Sequence, residues 1–171
     1  SEKIDGLVLH PKLKGIERVS EDNEKVKYKV SAGENWIDLV TFISDIGLGG
    51  IENLAYIPGN MGAAPVQNIN AYGQELSKTF VELTAVNLDT SEIRRISKDE
   101  MKFGYRTSLF KSQKTNYLIL DVTLQFDKNP IYDLNYSNSY GGVAIELELL
   151  GMSELNPHNI ATAITSLRKK K

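Results

Sequence analysis

The run of residues 53–74 is the place in this 171-residue chain where residue type and spacing point to chemistry. The run carries no Asp, Glu, Lys or Arg over 22 positions, in a protein that is 25% charged, so it faces protein or ligand and not bulk water. A membrane span is excluded by Pro58, Pro65 and a succession of Asn and Gln side chains, each of which would need a partner in lipid. Six of the 13 glycines fall between Gly47 and Gly73, and Pro58-Gly59 has the chemistry of a type II turn, with glycine supplying the positive φ. Around Gly62-Ala63-Ala64-Pro65 the side chains are so small that the backbone becomes the contact surface. N–H groups on a strand-to-helix turn of this kind are able to hold an anionic phosphate, while a planar ring lies against the Ala and Val methyl groups. Composition leaves a second reading open, a tightly packed glycine-rich turn with no ligand. The pattern is neither a Walker loop nor the G-x-G-x-x-G dinucleotide fingerprint.

Taken alone, Arg106 reads first as an ordinary surface arginine, and Tyr72 and Tyr105 first as amphipathic tyrosines at a core edge. Other chemistries are bounded more firmly. With no cysteine there is no disulfide, thiolate metal site or cysteine nucleophile, and the composition fits a reducing cytoplasm. His10 and His158 are too few for a histidine metal cluster, so no metal is expected. A net charge of −2 with the two signs mixed gives no broad basic face for nucleic acid or anionic lipid. The first six residues, with two acids and one lysine, do not resemble a signal peptide.

The elements that must position these segments follow from periodicity. Residues 7–9 read as the end of a strand, and 26–30 alternate in the period-two manner of a half-buried one. Asn35 is a plausible N-cap for a helix in which Trp36, Leu39, Val40 and Ile43 recur at helical spacing up to Gly47. Trp36 is expected in the core, and Met61 in packing and not in redox chemistry. Residues 80–88 and 93–96 flank the turn 89–91 as a hairpin, and 117–126 make a further long strand. The polar stretch 127–142 is too long for a tight connection. Residues 143–150 suit either a short helix or a strand. Asn156 with Pro157 opens a last helix, with Ile160, Ile164 and Leu167 on one face and His158 in its exposed first turn.

Gly50-Ile51-Glu52-Asn53-Leu54, then Ile57-Pro58-Gly59, Gly62, Ala64-Pro65-Val66-Gln67-Asn68-Ile69 and Ala71-Tyr72-Gly73 together resemble the flavin motif of the UDP-N-acetylenolpyruvoylglucosamine reductase family. Downstream, Phe103-Gly104-Tyr105-Arg106-Thr107-Ser108-Leu109-Phe110-Lys111 resembles that family's arginine segment. The resemblance covers nearly the whole chain, from Asp5-Gly6-Leu7 to the helix at 160–171. It implies FAD as cofactor, NADPH as reductant and UDP-N-acetylglucosamine enolpyruvate as substrate. Ile57, Gly59, Ala63, Ala64, Pro65, Val66, Gln67 and Asn70 carry over as cofactor contacts. Relatives can have serine at Ala63; its loss removes a hydroxyl but leaves the backbone donors. Asn70 stands where glycine often appears, and Asn tolerates a left-handed backbone there. Arg106 carries over as the catalytic cation that stabilises an enolate formed by hydride transfer. Thr107 replaces an acid common in relatives. Tyr72 and Tyr105 carry over as substrate contacts. Tyr140 resembles the loop tyrosine that closes over substrate, and Lys171 the lysine that ends the last helix and reaches the nucleotide.

The implied fold is α+β, a largely antiparallel sheet packed with helices, corresponding to the second subdomain of the FAD-binding type 2 architecture. Residues 1–10 are expected to supply a terminal strand of the first subdomain and 11–171 the second, with the C-terminal substrate domain absent and this piece inactive by itself. The alternative is a non-catalytic nucleotide- or partner-binding domain on the same scaffold.

Overall fold

A computed structural model describes Gly6 and residues 8–113, 116–132 and 142–170. The chain opens with β1 (Ile16–Glu21) and β2 (Lys25–Ser31), followed by helix α1 (Trp36–Asp45). Two 3-10 segments, Glu52–Leu54 and Met61–Gln67, lead to a miniature hairpin of β3 (Asn70–Ala71) and β4 (Gln74–Glu75) and the single turn α2 (Leu76–Thr79). Strands β5 (Phe80–Asn87) and β6 (Ile93–Ser97), the short helices α3 (Lys98–Met101) and α4 (Leu109–Ser112), and β7 (Tyr117–Asp127) complete the sheet region. Helices α5 (Val143–Leu149) and α6 (Pro157–Lys169) follow.

Five strands pair antiparallel in the order β1-β2-β7-β5-β6, with the long β7 at the centre. One face is apolar because alternate residues point inward: Val26, Val30, Val122, Leu124, Phe126 and Leu83 are buried. The other face is polar and carries the cross-strand pairs Lys25–Asp127 and Lys29–Asp121. The fold is therefore α+β with an antiparallel sheet, as the periodicities and the resemblance imply.

Helix α1 begins where Asn35 accepts hydrogen bonds from the Ile37 and Asp38 amides, and it buries Trp36, Leu39, Val40 and Ile43. The Trp36 indole donates to the Leu54 carbonyl at 2.9 Å, which satisfies its one polar atom inside the core and ties α1 to the first 3-10 segment. Asn156 caps α6 by accepting from the Asn159 amide, Pro157 occupies the first turn, and Ile160, Ile164 and Leu167 are buried. His158 is exposed and pairs with Asp45 at 2.6 Å.

One local expectation changes, one open alternative closes, and one strand is added. Of the expected strand 7–9, Val8 and Leu9 form no strand and are exposed, while Leu7 lies outside the described residues. Residues 143–149 resolve as helix, with Val143, Glu146 and Leu147 buried on one face. β1 is an additional edge strand with every residue after Ile16 exposed, so it carries no period-two signature. Among the described residues no helix is long and apolar enough to cross a membrane.

Candidate functional site

The glycine-rich segment is laid along the β2–α1 connection by backbone hydrogen bonds. The Trp36 amide donates to the Gly59 carbonyl (2.9 Å), Met61 to Glu34 (2.8 Å) and Gly62 to Ala32 (2.9 Å). The connection is itself braced, since the Glu34 carboxylate accepts from the Gly15 amide at 2.6 Å and from Lys14 at 3.1 Å. The Gly15 amide first, and the Lys14 ammonium after it, hold the Glu34 carboxyl below the ordinary carboxylate range.

Gly59 takes φ +127°, a glycine-only conformation, and a Cβ there would meet nothing within 4 Å. That φ lies well beyond the +80° or so of an ideal type II turn. Gly62 serves packing instead, because a Cβ at that position would lie 2.9 Å from the Ala32 Cβ. The chain then forms the 3-10 segment with Pro65 inside it, and not a strand-to-helix turn. It ends at Asn68, which is left-handed at φ +46°. Asn70, two residues on, is extended within β3, so the left-handed position falls on Asn68 and again on Tyr72 (φ +46°).

Above this floor lies a mainly apolar cleft of about 460 Å³, walled by Gly59, Ala63 and Val66 on one side and Phe110, Tyr117 and Ile119 on the other. Phe110 and Tyr117 form an edge-to-face pair at 6.2 Å and 80°. His10 also lines the cleft and contacts Asn60 at 3.2 Å. Of the cofactor contacts implied by resemblance, Gly59, Ala63 and Val66 line the cleft. Ala64 and Pro65 are buried beneath it, while Ile57, Gln67 and Asn70 lie on the same segment outside its walls.

Arg106 occupies the tip of a two-residue turn in which Gly104 and Thr107 exchange N–H to carbonyl bonds of 3.2 Å each. It adopts φ +52°, unusual for a non-glycine residue and stored strain of about 1–3 kcal/mol. Three contacts dock this turn on the glycine-rich segment. Asn68 Nδ2 donates to the Gly104 carbonyl (3.1 Å), Ser108 Oγ to the Val66 carbonyl (2.6 Å), and the Arg106 guanidinium to the Asn70 carbonyl (3.1 Å). Lys111 Nζ donates to the Arg106 carbonyl at 2.9 Å and holds the turn from below. The segments that carried the sequence signal, 36 residues apart at Asn70 and Arg106, are thus one surface.

Tyr105 projects beside Arg106 and is 81% exposed. Tyr72 is buried, with its carbonyl accepting from Asn53 Nδ2 at 2.7 Å. A network beneath the β3–β4 hairpin fixes its position: the buried Glu52 carboxylate accepts from the Gly50 amide (2.5 Å) and Gln74 Nε2 (2.6 Å), and Gln74 Oε1 accepts from the Asn53 amide (2.9 Å). Burial first, and the nearby Glu52 charge second, raise the Tyr132 hydroxyl above the ordinary tyrosine value. A polar hollow of about 320 Å³ lies on that side, lined by Lys25, Glu52, Tyr72, Lys78, Asp127 and Tyr132, and it contains no residue of 57–67. The apolar cleft is the better candidate for a ring-bearing ligand, since it is the one that the small-residue segment floors. Tyr140 and Lys171 lie outside the described residues. Among the described residues no group of three or more His, Cys, Asp or Glu is placed to hold a metal.

Asn68, Ser108, Phe110 and Tyr117 emerge from the structure and not from sequence reasoning. The first three stand inside the two motifs, where a polar residue at a left-handed position was the available signal for Asn68. Tyr117 begins an ordinary strand, and its sequence carries no sign of the cleft.

The FAD binding domain family model matches residues 1–97. Over 169 residues, 98% of its length, the chain is 42% identical to a UDP-N-acetylenolpyruvoylglucosamine reductase of Amoebophilus asiaticus, covering 49% of that protein. It is 39% identical to the protein of the same name from Flavobacterium johnsoniae, again over 98% of this chain and 49% of the relative. The chain therefore spans about half the length of the curated relatives it matches. The crystal structure of UDP-N-acetylenolpyruvylglucosamine reductase from Thermus caldophilus superposes with a TM-score of 0.56 at 18% identity, covering 83% of this chain and 42% of that one, which is a likeness of fold.

Proposed function

Because the chain belongs to the FAD binding domain family, we propose that it forms the flavin-holding part of an enzyme that reduces UDP-N-acetylglucosamine enolpyruvate to UDP-N-acetylmuramate with NADPH, a step of peptidoglycan precursor synthesis in the cytoplasm. The observation that carries this reading is the docking of the Arg106 turn on the segment 66–70, whose Val66 lines the apolar cleft, so that the arginine turn and the cleft share one support.

The cleft fits a planar group. Gly59 leaves its floor open, Ala63 and Val66 present methyl groups on one wall, and the Phe110–Tyr117 pair gives the other an aromatic surface. These residues, with Ile57, Ala64, Pro65, Gln67 and Asn70 shaping the segment, are the ones that would hold FAD. FAD, once reduced by NADPH, would supply the hydride for the enolpyruvyl double bond. Arg106 meets the charge that develops on the substrate as an enolate. Its guanidinium has five N–H donors and spends one on Asn70, so the fork remains available to a carboxylate or an enolate oxygen. Because the turn is held at both ends, little reorganisation accompanies charge development. Tyr105, Tyr72, Tyr140 and Lys171 are proposed as substrate contacts, of which Tyr105 stands fully presented. Since the chain spans half of its relatives, it is proposed to be inactive alone.

The test is anaerobic: the full-length protein carrying these residues is reduced with NADPH and then mixed with UDP-N-acetylglucosamine enolpyruvate. Flavin reoxidation with formation of UDP-N-acetylmuramate supports the proposal. A protein that holds flavin but is never reoxidised by that substrate contradicts it and favours a binding domain on the same scaffold.

A further inference from the structure

Asn68 is fully buried and makes three polar contacts in three directions. Its Nδ2 donates to the Gly104 carbonyl at 3.1 Å and to Glu75 Oε2 at 3.1 Å, and its Oδ1 accepts from the Ser77 amide at 2.9 Å. The amide orientation follows from chemistry: reversing it would set the oxygen against a carbonyl and a carboxylate, and the NH2 against a backbone N–H. Glu75 is held in turn by the Ser77 hydroxyl at 3.1 Å. Asn68 also sits at φ +46°, ending the 3-10 segment, where an Asn side chain costs less than most.

The Gly104 carbonyl that receives Asn68 belongs to the residue that closes the Arg106 turn by exchanging bonds with Thr107. Arg106 reaches Asn70, in the strand that directly follows Asn68 and Ile69. One side chain therefore sets the height and tilt of the turn relative to the cleft, while the backbone after it supplies the carbonyl that orients the guanidinium. Arg106 is exposed, so its own packing does not restrain it. The restraint comes from beneath, through Asn68, Ser108 and Lys111.

We propose that Asn68, supported by Glu75, is a positioning residue for Arg106: it acts through the Gly104 carbonyl and has no contact with substrate or cofactor of its own. The inference rests on the catalytic reading of Arg106 given above. Asn68→Asp keeps the shape and the tolerance of a left-handed backbone but turns the donor into an acceptor that faces a carbonyl and a carboxylate. The turn shifts and the guanidinium with it, and a displacement near 1 Å costs on the order of 100-fold in a preorganised site. Glu75→Gln on the Asn68→Asp background restores a donor opposite the new carboxylate.

The experiment uses the full-length protein with its flavin and resolves the two half-reactions by stopped flow. The wild type must first show reoxidation by UDP-N-acetylglucosamine enolpyruvate; if it does not, the catalytic reading fails, and this proposal with it. Given that activity, Asn68→Asp is expected to retain flavin and an NADPH half-reaction within about twofold, to slow reoxidation by substrate about 10- to 100-fold, and to recover part of that loss with Glu75→Gln. Where Asn68→Asp does not fold, Glu75→Ala alone carries the test, since it removes the acceptor of Asn68 Nδ2, with selective slowing of the same half-reaction expected. Equal slowing of both half-reactions, loss of flavin without selective slowing, or unchanged kinetics in the variant that folds would each overturn the proposal.

Discussion

Ser108 Oγ donates to the Val66 carbonyl at 2.6 Å across 42 residues of sequence, and Ser108 is 1% exposed. This bond joins the first residue after the Arg106 turn to the segment that floors the cleft. The carbonyl is part-buried, so removing its donor leaves it without that partner.

Ser108→Ala is therefore expected to cost about 1–3 kcal/mol in stability and to loosen the arginine turn together with the cleft floor. Chemical denaturation of this chain measures the first effect. A midpoint unchanged from the wild type would show that the bond contributes nothing to the joint.

Gly59 and Gly62 both border the cleft but differ in what a side chain there would meet. Gly59→Leu places a side chain where the backbone is left-handed and the space above is open, so flavin content of the full-length protein should fall to a small fraction of wild type. Gly62→Ala forces its Cβ against the Ala32 Cβ and should lower the melting temperature instead, with an overpacking cost of about 1–3 kcal/mol. Flavin absorbance and thermal melting together decide the matter. Equal flavin retention in Gly59→Leu and wild type would place the cofactor elsewhere.

Lys170 holds the buried Glu146 carboxylate by 2.7 Å bonds to both oxygens and, with a Ser166 hydrogen bond, keeps its carboxyl below the ordinary value of 4.5. A lowered folded-state value stabilises the native chain fully above that unfolded value, and the contribution disappears as pH falls through the folded one. Glu146→Gln should thus melt below the wild type at neutral pH, with the two curves converging as pH drops beneath 4.5. A difference in melting temperature independent of pH would remove the ion pair from the account of α5–α6 docking.

Much of the fold was legible because its elements advertise themselves locally. Asn35 and Asn156 cap helices whose apolar residues repeat at helical spacing, β5 and β7 carry apolar residues that are buried at intervals along their length, and β6 follows β5 across a short polar turn. β1 escaped notice because an edge strand exposed along nearly its whole length has no hydrophobic pattern to read. The site was legible as two motifs and not as a constellation. Neither composition nor spacing tells that Val66, Asn68 and Asn70 receive or hold the turn 104–108, since those contacts are set by tertiary closure across the sheet. For the same reason the left-handed residue was expected at Asn70 and stands at Asn68. Ala64 and Pro65 are small residues turned inward, a direction that a glycine-rich sequence does not specify.

The most direct test is the Arg106→Lys variant of the full-length protein, followed through both half-reactions. Lysine keeps the charge but loses the planar fork and the reach to the Asn70 carbonyl. Flavin should remain bound and NADPH should reduce it at the wild-type rate, while reoxidation by UDP-N-acetylglucosamine enolpyruvate slows about 100- to 1000-fold. Slowing confined to the NADPH half-reaction, or no slowing in either, would contradict the proposed role of Arg106 toward the substrate.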